Sequence, residues 1–180
     1  MSADYLPVAS QAPETHPDLD TLGWRQYLCL SVGKETYAVG IDLVREILAV
    51  GRMTPLPLTP DFVCGVMNLR GAVIPVIDLK ARFGGRPEPV GRRSSIVIVE
   101  TGCRQEDGEQ VVGVLVDGVS EVLQISESDI EPVPQLGTRV PPEYLKGMAK
   151  AKGSLLPILD AERILEHEAM ASLIASHAAH

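Results

Sequence analysis

The sequence predicts a mainly β fold assembled from two alike units. The first observation is a repeat at an offset of 82 residues. Gly65, Gly71, Pro75 and Asp78 recur with the same mutual spacing as Gly147, Gly153, Pro157 and Asp160, and apolar positions follow, Phe62 with Tyr144 and Val66 with Met148. The second is an upstream echo at an offset of 75, where Asp42, Val44, Glu46, Ile47 and Leu48 are matched by Asp117, Val119, Glu121, Val122 and Leu123. The third is composition: 45% hydrophobic residues with only 4% aromatic gives an aliphatic, β-branched core, which favours strands. Short apolar runs separated by regular turn signals point to small barrels.

The elements follow in order. Residues 1–23 hold Pro7, Pro13 and Pro17 among polar residues and are expected to form a flexible tail. Gln26–Val32 and Thr36–Ile41 flank Gly33-Lys34-Glu35 as a hairpin. Asp42 is read as the N-cap of a short helix, because Leu43, Val44, Ile47 and Leu48 fall at helical spacing. Met53–Leu58 carries two prolines and is read as an extended edge. Val63–Leu69 and Ala72–Ile77 form a hairpin around Asn68-Leu69-Arg70-Gly71, and Asp78 caps a short helical turn through Phe83.

The second half repeats the scheme. Ser95–Glu100 and Gln110–Val116 are strands, Asp117–Leu123 is a helix weakened by Gly118 or else a strand, and Ser126–Ile130 is at most one turn. Leu145–Lys150 and Ser154–Leu159 pair, and Asp160 caps a last helix over residues 161–177. Gly65 and Gly147 lie inside strand patterns, which favours bulges, and Pro75 and Pro157 are placed near strand ends, at edges. The expected organisation is therefore a tail over 1–23, a folded body over 24–165 with a first unit about 26–90 and a second about 91–160, and a C-terminal helix.

Composition also excludes classes of function. The formal net charge is −8, which argues against nucleic acid and anionic membranes. Three scattered cysteines, Cys29, Cys64 and Cys103, support neither a disulfide framework nor a zinc site. No apolar run reaches the length of a signal sequence or a membrane span, so a cytoplasmic protein is expected. The four histidines lie in the tail and near the C-terminus without metal-ligand spacing. Walker and nucleophile-elbow patterns are absent, and Asp78 and Asp160 read as caps rather than as a catalytic pair. The expectation is no cofactor, no metal and no catalysis.

One motif exceeds what a turn needs. Asn68 and Gly71 are ordinary turn residues, but Arg70 recurs as Lys152, so a cation is kept where polarity alone would serve. A guanidinium can grip a carboxylate in a planar fork, and Glu46 is the best candidate partner, although a solvated glutamate is the simpler reading of that residue alone.

Gly65-Val66-Met67-Asn68-Leu69-Arg70-Gly71 followed by Ile74-Pro75-Val76-Ile77-Asp78-Leu79 resembles the signature of the CheW family of bacterial chemotaxis coupling proteins. So do Tyr37-Ala38-Val39, Val44-Arg45-Glu46-Ile47, Val111–Val116 with Asp117-Gly118-Val119, and Leu156-Pro157-Ile158-Leu159-Asp160. The resemblance runs from about Gln26 to Leu165. It implies two SH3-like five-stranded β-barrels around a shared hydrophobic core. It implies a non-enzymatic adaptor linking transmembrane chemoreceptors to the histidine kinase CheA, recruited to receptor arrays. By the same resemblance, Val44, Glu46, Arg70, Val119 and Val122 line a receptor-binding groove between the barrels, Glu46 pairs with Arg70, and Gly65, Met67 and Gly71 contact the kinase's regulatory domain. Alternatives are a relative serving a pilus or surface-sensing pathway, or a small-ligand-binding barrel. The tail, the charged loop at Arg104–Glu109 and the alanine-rich C-terminal helix depart from the family pattern.

Overall fold

A computed structural model describes residues 23–102, 109–134 and 140–165. The expected tail, the charged loop up to Glu109, Cys103 and the last helix beyond Leu165 lie outside the described residues. The chain is mainly β. Strands β1 (Trp24–Val32) and β2 (Glu35–Gly40) form the first hairpin, and a 3-10 turn over Ile41–Leu43 leads into β3 (Val44–Ala49). The second hairpin is β4 (Val63–Leu69) with β5 (Ala72–Asp78), followed by the single helical turn α1 (Leu79–Arg82). Then come β6 (Ser95–Gly102), β7 (Glu109–Val116), β8 (Gly118–Ser126), β9 (Ile130–Glu131), β10 (Leu145–Ala151), β11 (Ser154–Leu159) and a second turn, α2 (Ala161–Ile164).

These strands make two sheets, ordered β8-β1-β2-β11-β10-β9 and β3-β6-β7-β5-β4. The first has six strands rather than the expected five. Its extra member, β9, has a counterpart in the other sheet, where Thr54 bridges Val66 as Glu131 pairs Met148. Each sheet takes strands from both sequence units. The hairpin β1–β2 pairs with β8 and β11, while β6–β7 pairs with β3 and β5. The chain crosses from one sheet to the other at Ile41–Leu43 and again at Asp117.

The central strands β1 and β6 are buried on both faces, which explains continuous apolar runs such as Tyr27–Leu30 and Ile96–Val99. From these, Leu28, Leu30, Val97 and Val99 face a cluster shared by the two sheets. The alternate residues face private clusters, Tyr27 and Cys29 in one sheet and Ile96 and Ile98 in the other. One shared core and one private core per sheet is the arrangement that two barrels packed together require.

Two readings of the elements are corrected. The helix read over Asp42–Leu48 is a strand, and Asp42 caps nothing; it sits inside the 3-10 turn, whose N-cap is Gly40. The segment after Asp117, left open between a weakened helix and a strand, is strand β8. The reason is a β-bulge: the register shifts between Val44 and Glu46, so Leu43, Val44, Ile47 and Leu48 lose the alternation of a strand and imitate helical spacing. Pro75 and Pro157 do not mark edges, since β5 and β11 are interior strands. Val66 spends both backbone groups on Thr54, so the N of Pro75 opposite it points away from β4. On that side the ladder to β7 begins only at Val76, and the missing N–H costs no bond.

The glycine bulges are present, with register shifts between Val63 and Gly65 and between Leu145 and Gly147. Asp78 and Asp160 cap α1 and α2, accepting from the backbone N–H of Ala81 and of Arg163.

Candidate functional site

The two hairpin turns nearest the repeated glycines set the site. Leu69 pairs with Ala72, leaving Arg70 and Gly71 as a two-residue turn with φ of 50° and 87°. Positive φ at both central residues is the condition of the primed hairpin turn that matches strand twist. Asn68 stays in β4 and its Oδ1 accepts from the Gly71 N–H at 2.9 Å. Hence the left-handed residue beside Gly71 is Arg70, not Asn68. The second hairpin copies this, with Lys152 at φ 50° and Gly153 at φ 79°. An arginine or lysine gains nothing locally from a conformation suited to Asn, Asp or Gly.

What each cation gains is a carboxylate. Arg70 Nη1 and Nη2 donate to the two Glu46 carboxylate oxygens at 2.7 and 2.9 Å, a bidentate fork between the hairpin turn and β3. In the other sheet Lys152 Nζ donates to Glu121 Oε1 at 2.6 Å, joining the matching turn to β8. Both glutamates sit at bulges: Glu46 follows the register shift after Val44, and Glu121 lies within the shift between Val119 and Val122. A bulge re-aims a side chain, which is how a strand residue reaches the turn. Glu46 is held below the ordinary carboxylate pKa, chiefly by its hydrogen bonds from Arg70. Arg70 keeps 72% of its side chain exposed, so the fork is open to a partner.

The remaining expected residues separate by role. Val44 and Val119 are half-buried against the shared core, each at the start of its strand. Val122 is exposed, beside Glu121. Ile47 beside Glu46, Val73 in β5 and Leu155 in β11 are exposed as well, and sequence reasoning left them out. They were findable: Ile47 and Val122 are repeat mates, as are Val73 and Leu155, so each turn–glutamate pair carries two exposed apolar neighbours in sequence.

Met67 is half-buried against the private core of its sheet. Gly65 has a fold role, because a Cβ there would lie 2.3 Å from the Thr54 carbonyl oxygen, whereas Gly71 faces open space. Among the described residues there is no cluster of His, Cys, Asp or Glu able to hold a metal, and no helix long and apolar enough to cross a membrane. The Cys64 thiol is pushed up to about 11 by burial and then by the Asp78 charge, which makes it a poor nucleophile.

Comparison with known proteins gives the family and the fold. The CheW-like domain family matches residues 26–169. A chemotaxis protein CheW of Klebsiella aerogenes is 34% identical over 152 residues, covering 84% of this chain and 87% of that protein. A chemotaxis protein CheW of Rhizobium meliloti is 33% identical over 148 residues, covering 82% and 92%. The crystal structure of the scaffolding protein TtCheW from Thermoanaerobacter tengcongensis superposes with a TM-score of 0.70 at 34% identity, covering 81% of this chain and 94% of that one.

Proposed function

The chain belongs to the CheW-like family, and from that premise we propose that the Arg70–Glu46 fork and its apolar neighbours form the receptor-docking surface of a chemotaxis adaptor. The adaptor is not an enzyme; it couples chemoreceptors to the histidine kinase CheA. Its mechanism is geometric. It holds receptor tips and kinase at fixed positions, so that a conformational change in one biases the other by whatever differential contact the adaptor makes with each state.

The observation that carries this reading is the bidentate fork on a positive-φ turn. Arg70 accepts an unfavourable backbone conformation and is fixed by Glu46 while most of its side chain stays in solvent. A pre-organised guanidinium loses less freedom on meeting a polar partner than a free one does. Val44 and Val119, one from each sheet, supply the apolar part of the groove together with Val122. Gly65, Met67 and Gly71, on the β4–β5 hairpin, are assigned to the kinase's regulatory domain. The complex operates in cytoplasmic receptor arrays.

The test is binding of a receptor hairpin fragment. Arg70→Glu should weaken it by about tenfold or more, roughly 1.4 kcal/mol, without lowering the melting temperature appreciably. Lys152→Glu, at the repeat-equivalent turn, should change it less than about twofold. Equal losses from the two variants, or none from Arg70→Glu, would remove the fork from the receptor surface. A parallel assay against the kinase's regulatory domain should register Met67 variants and spare Val122 variants.

A further inference from the structure

A second surface lies away from both forks. The turn between β1 and β2, the helical turn α1 and the segment after it enclose a groove of about 940 Å³. Its floor is apolar, with Val32 and Tyr37 buried and Phe83 half-buried. Its rim carries Lys34, Arg92 and Arg93, all exposed, and their side chains have no ion-pair or hydrogen-bond partner among the described residues. Three carboxylates also line the groove. Glu88 is taken by Lys80 Nζ at 2.6 Å, Asp117 accepts from the Gly33 N–H, and Glu35 stands on β2. Three uncommitted cations over an apolar floor are against the trend of a chain with a net charge of −8. Such a surface selects an occupant that is acidic and carries apolar side chains.

The chain supplies one. Residues 1–22 contain Asp4, Glu14, Asp18 and Asp20, no lysine and no arginine, and Tyr5, Leu6, Val8 and Leu19 stand among the acids. The reach is right as well. The segment joins the body at the start of β1, and the groove begins at Val32, where β1 ends. Eight strand steps are about 26 Å. A random-coil chain of about 22 residues has a root-mean-square span of about 25 Å. A tether whose span equals the distance to be bridged gives the highest effective concentration.

We propose that residues 1–22 dock in cis across the groove rimmed by Lys34, Arg92 and Arg93, as an acidic strap. The strap then competes with any acidic partner segment for the same rim.

Carbodiimide cross-linking of the full chain, read by peptide mass spectrometry, tests this. Two ion pairs serve as internal controls, Lys80 with Glu88 and Lys152 with Glu121, each at 2.6 Å. The expected result is an amide between Lys34 and a carboxylate of residues 1–22, within the monomeric chain at low salt. Its yield should fall at least about threefold in 0.5 M salt, and by a similar factor in the doubly substituted Arg92→Gln, Arg93→Gln chain, while the Lys152–Glu121 link persists. The proposal is overturned if the control links form without the strap link, or if the strap link ignores the Arg92 and Arg93 substitutions. It is also overturned if the link appears only in covalent dimers, which would assign the groove to a second copy of the chain.

Discussion

At the scale of the residue, the fork is a choice of arginine over lysine as much as of charge over neutrality. Both turns place a cation at φ 50°, yet only Arg70 engages both oxygens of its glutamate, while Lys152 engages one. A guanidinium fixes the direction of a carboxylate and an ammonium fixes only its distance. The pair has a defined pH behaviour. The pKa of Glu46 is lowered in the folded chain, so the interaction is fully present above the unfolded carboxylate value and is lost as pH falls through the depressed folded value. The fork is therefore insensitive to pH across the physiological range and opens only in acid. A carboxyl-detected NMR titration should place Glu46 below an ordinary glutamate, and Arg70→Ala should move it up. An unmoved titration would mean that the fork does not persist in solution. A double-mutant cycle with Glu46→Lys and Arg70→Glu should show partial recovery of receptor binding in the double variant, and strict additivity would separate the two residues.

At the scale of the element, the glycines of one hairpin have different jobs. Gly65 has φ 143° and no room, since a Cβ would meet the Thr54 carbonyl oxygen at 2.3 Å and its carbon at 2.8 Å. Those are backbone atoms of the segment whose bridge to Val66 closes the sheet edge. Gly71 has φ 87° and open space. Gly65→Ala should cost about 3 kcal/mol or more, combining strain with displaced backbone, and Gly71→Ala about 1–2 kcal/mol, from backbone strain alone. Denaturant unfolding measures both, and the reverse order would contradict the close approach at Thr54.

The same hairpin shows what was legible in the sequence. Its strands, its bulge glycine and the cap at Asp78 could be read from local residue types, because each is fixed by local chemistry. The repeat made Arg70 visible, because a cation recurs as Lys152, and its pairing with Glu46 followed from the fork chemistry of a guanidinium and from the family resemblance. Strand β3 was misread because a bulge imitates helical periodicity. The place of the prolines was misread because an interior strand with a gap in one ladder has the same sequence signature as an edge.

At the scale of the whole molecule, the repeat disclosed two alike units but not which hairpin completes which sheet. Local sequence fixes a strand and its turn; the partner sheet is fixed by the shared core, to which β1 and β6 both contribute. Besides the strand pairings, one side-chain contact spans the two repeats. The Arg82 guanidinium carbon lies 4.8 Å from the ring centroid of Phe62 and 5.0 Å from that of Tyr144, its repeat mate. Its Nε donates to the carbonyl of Ile164 at 2.8 Å, and Ile164 stands 82 residues after Arg82. Phe62 and Tyr144 are fixed in turn, their carbonyls accepting from Asp78 and Asp160 at 2.7 and 2.8 Å. One side chain thus ties the loop before β4, the 3-10 turn before β10, and α2. Each cation–π contact contributes about 0.5–2 kcal/mol. Arg82→Ala should therefore destabilise the chain by about 2–3 kcal/mol, lowering the melting temperature by roughly 4–10 °C. Arg82→Lys keeps a cation over the rings but loses planar stacking and the Nε geometry, so its loss should be intermediate. If Ala and Lys behaved alike, the rings would not be sensing charge; if neither mattered, the strand pairings between the repeats and the shared core would hold them without Arg82. Because Arg82 stands outside the Arg70–Glu46 fork, the fold-change in receptor-fragment binding should stay small while stability drops, which separates holding the units together from what the surface binds.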